Sequence, residues 1–193
     1  MNGFFRRLFG RAPQSTRTTI SSMPPRELLD LPQPEVSGMP KAEVMIKDLL
    51  NYRPKNFQTK ELVDPDTYRK FGENSLLVMD IRMLWTIDAI RGYFEKPVYV
   101  NDYNRGGTFK YRGFRPPSCS TGASYSQHRF GRAIDFHIYG IGSAEVRKEI
   151  YTHPDDDAFK YITRMEEFDG MSWVHIDCAW LPKNQERIHV FKP

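Results

Sequence analysis

The chain has 193 residues, of which 39% are hydrophobic and 13% aromatic, enough for one globular domain with a core and for an extension beside it. Its formal net charge of +4 lies in the first 24 residues, which hold four arginines and no acid, so the balanced remainder argues against nucleic-acid binding. The longest apolar run, Leu76–Met79, is too short for a membrane span, and the N-terminus lacks an apolar run of signal-peptide length.

The first 40 residues hold six of the chain's 14 prolines, mixed with serine and threonine. This composition predicts a proline-rich basic arm over residues 1–40 and a folded domain over residues 41–193. The arm is expected to be a solvated extension, and the alternative is an arm that becomes ordered against a protein partner. The domain is expected to begin with a short helix over residues 42–52.

The next elements follow from hydrophobic periodicity. A helix is predicted over Ser75–Phe94, with apolar residues at spacings of three or four on one face and with Gly92 and Pro97 at its end. Then come, in order, a strand Pro97–Asn101, a loop Asp102–Ser126, a strand Ala133–Tyr139 and a helix Ala144–Thr152 capped by Ser143.

Two predicted strands, Tyr161–Glu166 and Met171–Cys178, flank Asp169-Gly170, a dipeptide that favours a hairpin turn. A last strand is predicted over Arg187–Phe191. Strands joined by hairpins, with helices in separate blocks, predict an α+β fold with a mostly antiparallel central sheet flanked by helices.

The segment Ser126–Asp135 carries an imidazole, a glycine at a sharp turn and a carboxylate on the following strand. Forty residues after Asp135, His175 and Asp177 lie two apart on the second strand of the hairpin, so both side chains project from the same face. Two imidazoles and one carboxylate would form a three-ligand zinc set with an open fourth position. That arrangement is typical of catalytic rather than structural zinc.

The pattern Ser-x-His-x-x-Gly-x-Ala-x-Asp at Ser126–Asp135, followed by Trp-x-His at Trp173–His175, resembles the zinc D-alanyl-D-alanine carboxypeptidase family. This family includes phage L-alanyl-D-glutamate endolysins and is related to the hedgehog signalling domain. The resemblance covers residues 42–193.

The resemblance implies a hedgehog/D-Ala-D-Ala peptidase fold and a Zn²⁺ ion held by His128, Asp135 and His175. His137, on the same strand face as Asp135, is the rival ligand. The implied activity is hydrolysis of peptide bonds in bacterial peptidoglycan, as a carboxypeptidase or an endolysin. The implied location is the host cytoplasm or the virion, with action at the bacterial cell wall.

A zinc peptidase also needs a group that accepts a proton from water and passes it to the leaving amine. Many relatives place a Glu or Asp three residues before the last histidine ligand, where this chain has Ser172. Asp177 is the first substitute and Glu166 the second, because strands hold a carboxylate more rigidly than the turn that carries Asp169. Asp177 could instead orient His175 or Arg115, and Glu166 could be an exposed strand-end carboxylate.

Relatives carry an arginine upstream of the motif that binds a substrate carboxylate or polarises the scissile carbonyl. Arg115 is preferred for this role because Pro116 and Pro117 stiffen its backbone, while Arg112 and Arg105 remain alternatives. Ser126 is expected to hydrogen-bond near the substrate or to form the turn.

The alternative function, from a different class, is a virion structural or interaction protein that keeps the peptidase fold without activity. Ser172 and the long arm both fit that alternative.

Overall fold

The computed structural model describes residues 52–181 and 188–192. The predicted arm and all but the last residue of the predicted helix over residues 42–52 lie outside these ranges. Within them, four α-helices are α1 (Thr59–Leu62), α2 (Pro65–Phe71), α3 (Ile81–Phe94) and α4 (Ser143–Thr152). The strands are β1 (Val98–Tyr99), β2 (Ala133–Ile138), β3 (Arg164–Glu166), β4 (Val174–Asp177) and β5 (His189–Phe191). No helix in this part of the chain is long and apolar enough to cross a membrane.

The long helix predicted over Ser75–Phe94 is two elements. A 3-10 helix spans Gly72–Val78, and α3 begins only at Ile81, after Asp80 caps it by accepting a hydrogen bond from the backbone N–H of Arg82. The prediction was wrong at Leu77, which is 78% exposed, because the break rotates that residue off the buried face. An aspartate followed by apolar spacing is itself a helix-start signal.

Helix α4 begins at Ser143, one residue before the predicted start, so Ser143 is its first residue and not its cap. The N-cap residue is Gly142, and the Ser143 hydroxyl donates instead to the carbonyl oxygen of Ser172, 2.7 Å away. The hydrogen bond therefore joins the start of α4 to the loop before β4.

The five strands form one sheet in the order β1-β2-β4-β3-β5. The predicted hairpin is confirmed, since β3 and β4 pair antiparallel around a turn at Asp169-Gly170. The sheet is mixed, however, and not mostly antiparallel as predicted, because β5 pairs parallel with β3. The chain leaves β4 beside Arg164 and enters β5 beside the same residue, so β5 runs opposite to β4 with β3 between them.

One face of the sheet is apolar and forms the core with α3 and α4. Its side chains are almost fully excluded from solvent, as are those of the helices packed on it, and this burial is the main favourable term in folding. The sheet contributes Ile134, Phe136, Ile138, Met165, Val174 and Ile176, and the helices contribute Met83, Leu84, Ile87, Ile90, Val146 and Ile150. Because side chains alternate along a strand, the opposite face receives the polar residues of the same strands.

Gly131 makes the turn between the 3-10 helix Gln127–Phe130 and β2. Its φ is +66°, and a Cβ built there would lie 2.1 Å from the carbonyl oxygen of Val78. Its own carbonyl accepts from the backbone N–H of Asp80, 3.0 Å away. The glycine thus lets the turn pack directly on the chain before α3.

We expect Gly131→Ala to destabilise the protein more than Gly140→Ala. Both glycines have positive φ, so both changes cost about 1–2 kcal/mol of backbone strain. Only Gly131 also meets backbone atoms, whereas the space at Gly140 is open. Thermal unfolding of the two variants measures the difference, and equal melting temperatures would show that the close approach at Gly131 carries no cost.

Candidate metal centre

His128 lies in the 3-10 helix Gln127–Phe130 and is 1% exposed. Its Nδ1 is 2.8 Å from the carbonyl oxygen of Gly113, which can only accept a hydrogen bond. Nδ1 therefore carries the proton, and the lone pair of Nε2 is left for the interior of the site. Gly113 itself packs against the backbone of Leu62, where a Cβ would lie 1.9 Å from the carbonyl oxygen.

Asp135 and His175 reach the site from adjacent strands. They are directly paired residues of β2 and β4, and Glu166 of β3 is paired with His175 on its other side. Phe191 of β5 completes the row beside Glu166. Paired residues project from the same face of a sheet, so the fold sets these four side chains side by side on the polar face.

His128, Asp135 and His175, hereafter the metal triad, have ligand atoms that all lie within 4.8 Å of one another. The Oδ1 atom of Asp135 is 2.6 Å from Nδ1 of His175 and 3.2 Å from Nε2 of His128. The two histidine nitrogens are 3.3 Å apart. All three residues are buried. Three lone-pair atoms this close, with one proton at most among them, can hold a metal ion.

Electrostatics in the triad favour a bound cation. Burial opposes charge on Asp135, but contact with His128 and His175 holds its pKa well below the usual range. Burial also opposes charge on His175, yet hydrogen bonding to Asp135 and Asp177 raises its pKa to about 9. Burial lowers the pKa of His128. The site thus keeps its carboxylate ionised and attracts positive charge to His175.

Asp177 lies behind His175. Its Oδ2 is 3.5 Å from Nε2 of His175, the ring nitrogen opposite the one that faces Asp135. Asp177 is fully buried and accepts hydrogen bonds from Nε of Arg164 at 3.0 Å and from Nη2 at 2.7 Å. Burial alone would raise the pKa of this carboxyl, but His175 and Arg164 lower it. The imidazole ring therefore separates Asp177 from the centre of the triad.

A cavity of about 360 Å³ opens over the triad. Its lining includes Glu166, Arg115 and Ser126, three of the residues that the sequence singled out. Glu166 is partly exposed, and burial raises its pKa. Of the two leading candidates for a base, Glu166 is the one that lines this cavity.

Arg115 spans the cavity wall and the triad. Its Nε donates to the carbonyl oxygen of Tyr111 at 2.6 Å, and its Nη2 donates to Oδ2 of Asp135 at 2.8 Å. Its Nη1 lies next to Gly122, where an added Cβ would come within 2.6 Å. Arg115 thus holds the second oxygen of Asp135 and places Nη1 beside Gly122, which lines the same cavity.

The remaining candidates lie elsewhere. His137 forms a 3.0 Å hydrogen bond with Arg112 and stacks on Tyr99, away from the metal triad. Arg105 pairs with Glu61 at 2.7 Å. Asp169 is exposed in the turn between β3 and β4.

Sequence reasoning missed Arg164, which lines the cavity and binds Asp177, and Trp173, which lines it from the start of β4. The signal for Arg164 was present, because it lies two residues before Glu166 and must share its strand face. Trp173 was used only as part of the motif.

In comparisons with known proteins, no family model, curated protein or solved structure matches this chain. Function is therefore inferred from the site itself and from the sequence motif.

Proposed function

We propose that the protein is a zinc-dependent peptidase that hydrolyses peptide bonds of bacterial peptidoglycan. The observation that carries this proposal is the buried metal triad at the base of a cavity whose wall holds Glu166 and Arg115. A metal position, a carboxylate base and a guanidinium on one cavity are the parts that metal-assisted amide hydrolysis requires. The motif at Ser126–Asp135 and Trp173–His175, with its family resemblance, supports peptidoglycan as the substrate and the hedgehog/D-Ala-D-Ala peptidase fold.

The donor set suits zinc. Tetrahedral zinc with bonds of about 2.0–2.1 Å places neighbouring ligand atoms about 3.3 Å apart. Nε2 of His128 is 3.2 Å from Oδ1 of Asp135 and 3.3 Å from Nδ1 of His175. The remaining pair, Oδ1 of Asp135 and Nδ1 of His175, is hydrogen-bonded at 2.6 Å and must separate by less than 1 Å to share an ion.

Zinc, when bound, polarises the scissile carbonyl and lowers the pKa of water at the site. Glu166 is assigned as the general base: its carboxylate accepts the proton of the attacking water and donates it to the leaving amine nitrogen. A raised pKa suits a group that must both accept and release a proton. Nη1 of Arg115 is assigned to the substrate, where it binds the scissile carbonyl oxygen or a neighbouring carboxylate.

Asp177 is assigned a positioning role. Its carboxylate lies beside Nε2 of His175 and is held there by two nitrogens of Arg164. A carboxylate on the far nitrogen of a ligating imidazole fixes the ring and its tautomer, so that Nδ1 faces the ion. Asp177, ranked first as the base from the sequence, thus acts through His175.

The test is zinc analysis together with digestion of defined muropeptides, read by mass spectrometry. We expect about one zinc per wild-type chain and nearly none in His128→Ala, since removing one of three ligands abolishes tight binding. Hydrolysis should stop when a chelator is added and return with zinc. His153→Ala is the matched control, because that histidine lies on the surface beside Glu149.

Two results would contradict the proposal in different ways. Equal zinc in wild type and His128→Ala would remove the metal assignment. Stoichiometric zinc without cleavage of any muropeptide would favour the alternative, a virion structural or interaction protein on the same fold.

A further inference from the structure

The loop of residues 116–126, hereafter the wall loop, forms one side of the cavity. Four of its residues line that cavity: Gly122, Ala123, Tyr125 and Ser126. Tyr125 is 85% exposed, so its ring stands at the cavity mouth with one of the largest accessible aromatic surfaces in the described chain. The loop has neither helix nor strand, and within it only short turn bonds join backbone groups, such as Cys119 N–H to Pro116.

One guanidinium ties this loop together. Nη2 of Arg129 donates to the carbonyl oxygen of Cys119 at 2.6 Å, and Nε donates to that of Ala123 at 3.2 Å. Nη1 donates to the carbonyl oxygens of Pro117 at 2.9 Å and Pro116 at 3.3 Å. Four carbonyls spread over eight residues thus converge on one side chain. Carbonyls bound to a charged donor make stronger hydrogen bonds than neutral pairs do.

Arg129 directly follows His128 in the chain, so the residue that clamps the wall loop is joined to a member of the metal triad. The loop in turn meets Arg115, whose Nη1 lies against Gly122. Within the residues described, the side-chain hydrogen bonds of Arg129 all go to the wall loop and none to the metal triad. Loss of the guanidinium should therefore loosen the substrate side of the cavity while the metal side stays intact.

We infer that Arg129 is a positioning residue that holds the wall loop as the substrate-binding side of the cavity, with the ring of Tyr125 as the group that contacts the substrate. This inference rests on the proposed function for the nature of the substrate, a peptidoglycan peptide. A planar ring with few rotatable bonds contacts a peptide at low entropic cost, provided that the backbone carrying it is held in place.

The first measurement is hydrogen exchange at the backbone amides of Cys119, Thr121 and Ser126 in the zinc-loaded protein. These amides donate within the wall loop. In Arg129→Gln we expect them to exchange at least about 10-fold faster, because several charge-assisted bonds are lost together. Arg132 is an exposed arginine three residues away. In Arg132→Gln the three amides should exchange at the wild-type rate. Arg129→Lys should restore little of the slow exchange at these amides, since one ammonium cannot reach four separated carbonyls.

The second measurement is muropeptide hydrolysis. Arg129→Gln should raise KM about 10-fold with kcat and zinc content nearly unchanged. This result is expected when the substrate and the transition state lose the same binding energy. Tyr125→Ala should raise KM while amide exchange in the wall loop stays at the wild-type rate. This difference distinguishes the substrate contact of Tyr125 from the positioning role of Arg129. Lower kcat at constant KM, or loss of zinc, in Arg129→Gln would overturn the inference.

The inference can be judged even if no bond is cut. A saturating muropeptide should slow exchange at the three amides in wild type and not in Arg129→Gln. Protection without cleavage would keep the inference and remove the proposed activity. Absence of protection in a wild-type protein that cleaves or carries zinc would overturn the inference itself.

Discussion

Glu166→Gln is expected to lower kcat about 10²- to 10⁴-fold while leaving one zinc per chain, because a glutamine cannot accept the proton of the attacking water. Glu166 is paired across the sheet with His175 and lines the cavity, yet it is not a member of the metal triad. The measurement is steady-state hydrolysis of a defined muropeptide with zinc quantified in the same sample. Glu167→Gln is the matched control, since the carboxylate of Glu167, the next residue in the chain, pairs with Arg147 at 3.5 Å.

The pH profile adds a second readout. Burial raises the pKa of Glu166, and a general base works only when ionised, so kcat/KM should fall as pH drops through that raised pKa. The slower residual reaction of Glu166→Gln should lack this acid limb. Undiminished hydrolysis in Glu166→Gln would mean that another group accepts the proton.

Asp177→Asn is expected to weaken zinc binding about 10- to 100-fold, while kcat at saturating zinc stays near the wild-type value. The reason is the position of the carboxylate, 3.5 Å from Nε2 of His175 on the far side of the ring from Asp135. An amide has the same shape but holds the imidazole less firmly, and it leaves Arg164 without its anionic partner. Competition with a chromogenic chelator measures the affinity.

The converse outcome of that experiment is equally clear. Full zinc occupancy with hydrolysis abolished in Asp177→Asn would identify Asp177 as the general base. That was the first-ranked assignment from the sequence, where Asp177 shares a strand face with His175. Arg164→Gln should resemble Asp177→Asn in its effect on zinc, because Arg164 donates three hydrogen bonds to the Asp177 carboxylate.

Much of the candidate site could be predicted because its signals are local. The spacing of His128, Gly131 and Asp135 lies within one turn and one strand, and Gly131 does adopt the positive φ that the turn requires. The alternation of a strand likewise placed His175 and Asp177 on one face. The break at Asp80 was missed because periodicity alone was read across a capping residue.

The sequence by itself determined which side chains share a strand face, since that depends only on the two-residue repeat of an extended chain. Only the tertiary structure decided which of these side chains lies in front of His175 and which behind it. That choice depends on the register between strands and on ring orientation: β3 places Glu166 beside His175 and turns Arg164 toward Asp177. The parallel edge at β5 was decided in the same way, by where the chain returns to the sheet, because contacts between distant segments leave no mark in local spacing.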